Sequence, residues 1–258
     1  TDPAAPGFEA FVEQTWSMLV VTEDEAGGLA QVAVVAIADR ESGGGTVMLI
    51  PPELVSTGCP TGACRLDDVY RDGGMEALHA MVARRLELEF TDATLLTPPR
   101  WATLVGPVAP IPVEVEHDLI ETGADGTTVT RFPAGEVLVA ADDVVAFMTF
   151  SDDGADQDRL QRQGIIWRSW LAQVGTGGNT AVNLPGIDLP VVEVATALAA
   201  GPTVVVDSLW SYSGGEPAAD PTRLEQRILD MFPFPIPLQP GQRATVRLLN
   251  GTGDPLFD

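Results

Sequence analysis

Arg159, Arg162 and Gln163 stand at positions i, i+3 and i+4 of a stretch with helical periodicity, so the three share one side of a helix's first turns. Backbone N–H groups at such a start favour an anion, and two guanidinium forks add bidentate phosphate donors. The chemistry this pattern offers is capture of a phosphate or pyrophosphate. The competing reading is that the arginines only neutralise the acidic loop before them, through surface pairs worth about 0–1 kcal/mol each. Spacing alone does not separate the two. The loop itself, Asp152-Asp153-Gly154-Ala155-Asp156-Gln157-Asp158, could hold a divalent cation, with Asp156 as a candidate ligand. It lacks the distal Glu and the ordered alternation of a calcium loop, and carboxylates also belong at a helix start to cap it and answer its dipole.

Cys59 and Cys64 lie in Cys-Pro-Thr-Gly-Ala-Cys, where Pro and Gly favour a tight reversal. Two thiols this close in a turn can pair, and a disulfide suits an exported protein; two reduced thiols of a cytosolic protein are the alternative. Two ligands alone do not make a zinc site. His79 lies beside the apolar stripe of a helix and reads as a partly buried structural residue. His117 ends a half-exposed strand, with no second histidine or cysteine near it in sequence.

The elements that must position these residues are legible from hydrophobic period. Residues 16–22, 30–38 and 47–51 are short, nearly continuous apolar runs bounded by glycines, the pattern of strands covered on both faces. Gly73-Gly74 opens a helix over 75–86, with Met75, Leu78, Met81, Val82 and Leu86 on one stripe. Residues 110–116 alternate as a half-exposed strand. The segment 157–174 is a helix through Leu160, Gly164, Trp167, Leu171 and Val174, and 189–200 is a second, closed by Gly201 before a strand over 203–206. Asp220-Pro221 starts a helix that runs to Met231. Residues 232–240 are proline-punctuated, and 243–249 read as a late strand. Interspersed strands and helices predict a layered α/β fold.

The chain has 258 residues, enough for one large domain or one domain with an appendage. It carries 14 Lys and Arg against 37 Asp and Glu, a net charge of −23, which excludes nucleic acid as a partner and repels anionic lipid at long range. An anionic ligand therefore needs a local basic site working against the global field. Strong acidity is also a solubility device, as in salt-adapted proteins. No apolar run reaches the roughly 18 residues that cross a bilayer. The opening Thr-Asp-Pro-Ala-Ala-Pro-Gly reads as the end of a linker, with a membrane anchor expected upstream.

The run Asp156-Gln-Asp-Arg159-Leu-Gln-Arg162-Gln163 resembles the D-x-x-R-x-x-R-Q signature of the LytR-CpsA-Psr family. Further segments follow in that family's order. Met48-Leu-Ile-Pro51-Pro52-Glu53 is similar to its strand ending in I-P-R-D, and the segment from Arg65 through Tyr70 to Gly73-Gly74 is similar to its K-I-N-A-A-Y-x-x-G-G. Asp142-Asp143-Val144-Val145-Ala146-Phe147 stands where the family has G-x-x-A-L-x-Y-x-R. Val246-Arg-Leu-Leu-Asn250-Gly251-Thr252-Gly253 resembles the first strand of the LytR C-terminal domain.

The resemblance implies an α/β/α fold around a central mixed sheet. It implies a linker over 1–14, an LCP-like domain over 15–240 and a tail over 241–258. Such proteins are membrane-anchored at the outer face of the cytoplasmic membrane. They move a glycopolymer from a polyprenyl-pyrophosphate carrier onto cell-wall peptidoglycan, with Mg²⁺ and arginines on the pyrophosphate and an apolar tunnel for the lipid. Carried onto this chain, Arg159, Arg162, Gln163 and Arg65 would bind phosphate, and Asp156 would be the metal candidate.

The departures are as informative. Pro52 and Glu53 replace an Arg and an Asp, putting a carboxylate near where phosphate would lie. Residues 147–150 lack the arginines expected there, and Gln31 or Ala30 stands where a metal-binding Asp would be. Each missing fork removes a charge-assisted contact. The expectation is thus an envelope protein that binds lipid-linked glycopolymer with weak or no catalysis; an active phosphotransferase is the alternative.

Overall fold

The computed structural model describes residues 15–37, 43–59, 62–123, 125–151, 156–176, 189–213 and 216–232. The expected linker over 1–14, most of the acidic loop, the late strand over 243–249 and the tail over 241–258 lie outside these residues. The three apolar runs form β1 (Trp16–Glu23), β2 (Leu29–Ile37) and β3 (Gly45–Ile50), joined as an antiparallel meander. From Ala30 to Ile37 every residue of β2 is buried. Since successive side chains point to opposite faces, both faces of the sheet are covered, which gives a layered α/β/α molecule.

A hairpin follows, β4 (Val55–Cys59) and β5 (Gly62–Arg65), closed by a Cys59–Cys64 disulfide with the Cα atoms 6.1 Å apart. Helix α1 (Leu66–Leu86) starts earlier than the glycine pair suggested. Gly74, at φ 64° and ψ −157°, interrupts a longer helix instead of opening one, and left-handed φ is the conformation glycine adopts at little cost. The expected stripe holds beyond it, with Leu78, Met81, Val82 and Leu86 buried. His79 packs edge-on against Phe90, the ring centroids 5.4 Å apart.

Next come β6 (Asp92–Leu96), α2 (Pro98–Val105), the half-exposed β7 (Ile111–Val115), a hairpin of β8 (Leu119–Thr122) and β9 (Thr128–Phe132), and β10 (Gly135–Val139), which pairs with β7. Short α3 (Val144–Thr149) leads to α4 (Asp156–Thr176), then α5 (Leu189–Ala200) and β11 (Thr203–Val206). The described chain ends with the hairpin β12 (Trp210–Ser213) and β13 (Glu216–Ala219) and with α6 (Pro221–Met231), whose cap Asp220 accepts a hydrogen bond from the Arg223 N–H at 3.0 Å.

The central sheet has the order β11-β3-β2-β1-β6. β6 lies parallel to β1 and β11 parallel to β3, so only β2 runs against the rest and the sheet is mixed. The turn into β3 packs tightly on the end of α5: the Gly44 N–H donates to the Ala197 carbonyl at 2.7 Å, and a Cβ on Gly45 would lie 2.2 Å from the Ala36 carbonyl oxygen. No helix among the described residues is long and apolar enough to cross a membrane.

Candidate functional site

Four of the five strands point the same way, so the carboxyl ends of β1, β3, β6 and β11 line one edge of the sheet, where open α/β sheets place their ligands. Acidic residues stand at three of these ends: Glu23 closes β1, Glu53 lies in the turn after β3, and Asp207 follows β11. Helix α4 lies across this edge. Its Arg159 forms an ion pair with Glu53, its Gln163 Nε2 donates to the Ala30 carbonyl at 3.0 Å, and its Arg168 pairs with Asp207 at 2.7 Å. Gly164 lets this happen, because a Cβ there would sit 2.2 Å from an Asp207 carboxylate oxygen.

Arg65 reaches the same point from another element. The start of α1 is pinned to the turn that carries Glu53, with the Leu66 and Asp67 N–H groups donating to the Leu54 and Pro52 carbonyls at 3.1 and 2.9 Å. Arg65, last residue of the disulfide-closed hairpin, is thereby held 3.9 Å from Glu53. Its guanidinium also grips Asp67 through two hydrogen bonds of 3.1 and 2.8 Å. The Glu53 side chain is only 9% exposed, while Arg159 and Arg65 are 22% and 46% exposed. Glu53 Oε1 takes both arginines, and Oε2 is buried without a hydrogen-bond partner.

The four expected phosphate residues therefore divide. Arg159 and Arg65 converge on one largely buried carboxylate at the sheet edge. Arg162 is 7% exposed; it donates to the Phe150 carbonyl and its guanidinium lies 6.0 Å from the centre of the Phe150 ring. Gln163 is fully buried against β2. Asp156 opens α4, but its side chain lies outside the described residues.

Gln31, where the family pattern would put an acid, is buried in a polar knot. Its Oε1 accepts from the Trp167 indole at 3.1 Å and from the Thr22 hydroxyl at 3.4 Å, and that hydroxyl accepts from the Trp101 indole at 2.9 Å. Among the described residues no three His, Cys, Asp or Glu side chains gather as a metal site; the Asp156 side chain and most of the acidic loop lie outside them.

Sequence reasoning missed three further groups. Tyr70 donates to Glu23 at 2.5 Å, and burial, that hydrogen bond and the carboxylate's charge push its phenol well above the ordinary tyrosine range. Asp67 and Asp207 hold the arginines in place; the position of Asp207, directly after a strand, was the available signal. A groove of about 540 Å³ runs beside the disulfide, with Cys64, Val69, Ala77 and Met81 on its wall and Asp68 and Arg84 on its rim. A second, of about 610 Å³, separates the end of α1 from α6 at Leu86, Leu88, Leu224 and Ile228. Neither is lined by Arg159; the first begins at Cys64, next in sequence to Arg65.

Neither a protein-family model nor a curated protein matches the sequence. Solved structures do. B. subtilis TagV superposes with a TM-score of 0.65 at 16% identity, over 86% of this chain and 98% of TagV. TagT bound to LIIa-WTA gives 0.67 at 14% identity, over 88% and 94% of the two chains. The LytR-CPS2A-Psr family protein YwtF (TagT) with bound octaprenyl pyrophosphate gives 0.63 at 13% identity, over 88% and 94%. The chain has the LytR-CpsA-Psr fold. The mixed sheet crossed by α4 is that fold's core here, and the ordered motif likeness along the chain agrees with it.

Proposed function

We propose that this chain is a cell-envelope protein of LytR-CpsA-Psr type, working outside the cytoplasm, that binds a polyprenyl-(pyro)phosphate-linked glycopolymer with weak or no catalysis. The observation that carries the reading is the approach of Arg159 and Arg65 from two separate elements to one anion, the Glu53 carboxylate, at the carboxyl ends of the parallel strands. In so acidic a chain that brings two guanidinium groups together at the place where α/β folds take ligands.

Lipid-linked wall polymer and octaprenyl pyrophosphate bound to TagT support the ligand class. The prenyl chain would lie along Val69, Ala77 and Met81 in the groove beside the disulfide. The disulfide suits a compartment outside the cytoplasm. Cell-wall peptidoglycan is the proposed neighbour, and a membrane anchor before residue 15 would hold the domain there. Weak or absent catalysis follows from Arg162, whose guanidinium serves the Phe150 carbonyl, and from the residues that replace the other arginines.

The test is titration of a polyprenyl-phosphate analogue into the wild type and Arg159→Ala. Loss of one charged hydrogen bond should weaken binding by about 1.5–3 kcal/mol; unchanged affinity would remove Arg159 from the site. Glycopolymer transfer in the presence of Mg²⁺ or Mn²⁺ would instead favour an active phosphotransferase.

A further inference from the structure

The charges at the proposed phosphate site are already balanced. Arg159 and Arg65 bring two positive charges, and Glu53 and Asp67, which they contact, bring two negative ones. An incoming phosphate therefore meets no net positive charge from these four groups, on a chain whose net charge is −23. Carboxylate and phosphate are the two anions that match a guanidinium fork, so Glu53 and a ligand phosphate compete for the same face of Arg159.

The Glu53 contact is unlike an exposed surface pair. The residue is 7% exposed, and its backbone turn is fixed by the Leu54 N–H donating to the Pro51 carbonyl at 3.1 Å and by the start of α1. Its carboxylate is held through Oε1 alone, while Oε2 is shielded from solvent and makes no hydrogen bond. An ionised carboxylate with an idle, buried oxygen is poorly satisfied where it lies. It is a seat that can be vacated.

We infer that Glu53 is a built-in competitor for the phosphate site, a carboxylate plug on the arginine pair. It closes the arginines to free phosphate and pyrophosphate and yields to a phosphate whose remaining parts are bound elsewhere on the chain. This rests on the phosphate-binding reading above. A free anion only exchanges one ion pair for another and must also push out the resident carboxylate. A prenyl-linked phosphate adds apolar burial in proportion to the chain it inserts, and that surplus moves Glu53 aside.

Calorimetric titration of inorganic pyrophosphate into wild type and Glu53→Gln tests the plug. The amide keeps the shape and drops the charge, so pyrophosphate should bind at least about tenfold more tightly to the variant, as removal of one close like charge implies. Adding Arg159→Ala to Glu53→Gln should erase the gain. Glu53→Asp withdraws the carboxylate by one methylene and should give a smaller gain, which keeps the test open where thermal melts show the Gln variant unfolded. Polyprenyl monophosphate in nonionic detergent micelles is titrated in parallel.

Pyrophosphate binding that is equal in wild type, Glu53→Gln and Glu53→Asp, or undetectable in each of them, overturns the plug. If wild type takes polyprenyl phosphate while pyrophosphate gains nothing in either variant, the plug falls and the lipid reading stands. A pyrophosphate gain with no polyprenyl phosphate bound by wild type, Glu53→Gln or Glu53→Asp supports the plug and overturns the lipid reading.

Discussion

Arg159 and Trp167 sit about two turns apart on α4, and their surroundings differ in kind. Around Arg159 the partners are ions at the sheet rim: Glu53, then Arg65, then Asp67, each pair at least partly open to water. Around Trp167 the partners are neutral and dry. Gln31 and Thr22 pass a chain of hydrogen bonds between two indoles, and Trp101, Trp167 and Trp170 pack edge-on with ring centres 5.5–5.8 Å apart. The lesson is about where charge is tolerated along one helix face. At the rim, water shares the cost of holding unlike ions together. Two turns deeper an ion would lose its hydration, and an amide with donors on both sides takes its place.

The comparison breaks most visibly at Trp101, which is fully buried. Trp101→Ala should cost about 3–5 kcal/mol in urea unfolding, because it opens a cavity beside two other indoles and removes the donor to Thr22. Gln31→Leu keeps the volume and removes the acceptor. The stranded Trp167 N–H should then cost about 1–3 kcal/mol by the same measurement.

Tyr70, nearer the rim, gives a pH signature. Its proton is held more tightly in the folded chain than in the unfolded one, where tyrosine ionises near pH 10. Between that pH and the higher folded value the native state binds the extra proton, so stability should be level below about pH 10 and fall above it. Thermal melts of Tyr70→Phe should lack this tyrosine contribution to the fall. Smallest of all is Asp67→Asn. That pair with Arg65 is half open to solvent, so its loss should cost under about 1 kcal/mol and shrink further in salt.

The same contrast explains what was legible in the sequence. β1 to β3 could be read because both faces are buried and the apolar runs are continuous. The helices α4, α5 and α6 showed through their period and caps. The first part of α1 did not show, since Asp67, Asp68, Arg71 and Asp72 face solvent at least in part and its glycines looked like a beginning. At the site, the helical spacing put Arg159, Arg162 and Gln163 on one side but could not say that Arg162 would turn to Phe150. Gln31 was visible as an acid missing from the family pattern; its indole partner is 136 residues away, which no local pattern encodes.

The sheet order sets a sequence of events for the chain as it is made. β1, β2 and β3 are neighbours in both sequence and space, so the meander closes from local contacts and can form early. β11, which covers the free edge of β3, arrives only after α5, and Trp210, which donates to the Leu49 carbonyl at 2.7 Å, lies 161 residues further along than its partner. Until then β3 presents an open row of backbone donors and acceptors, all apolar in side chain from Val47 to Ile50. The early-made sheet therefore waits with one sticky edge, and the interval before its last strand docks is when self-association would compete with folding.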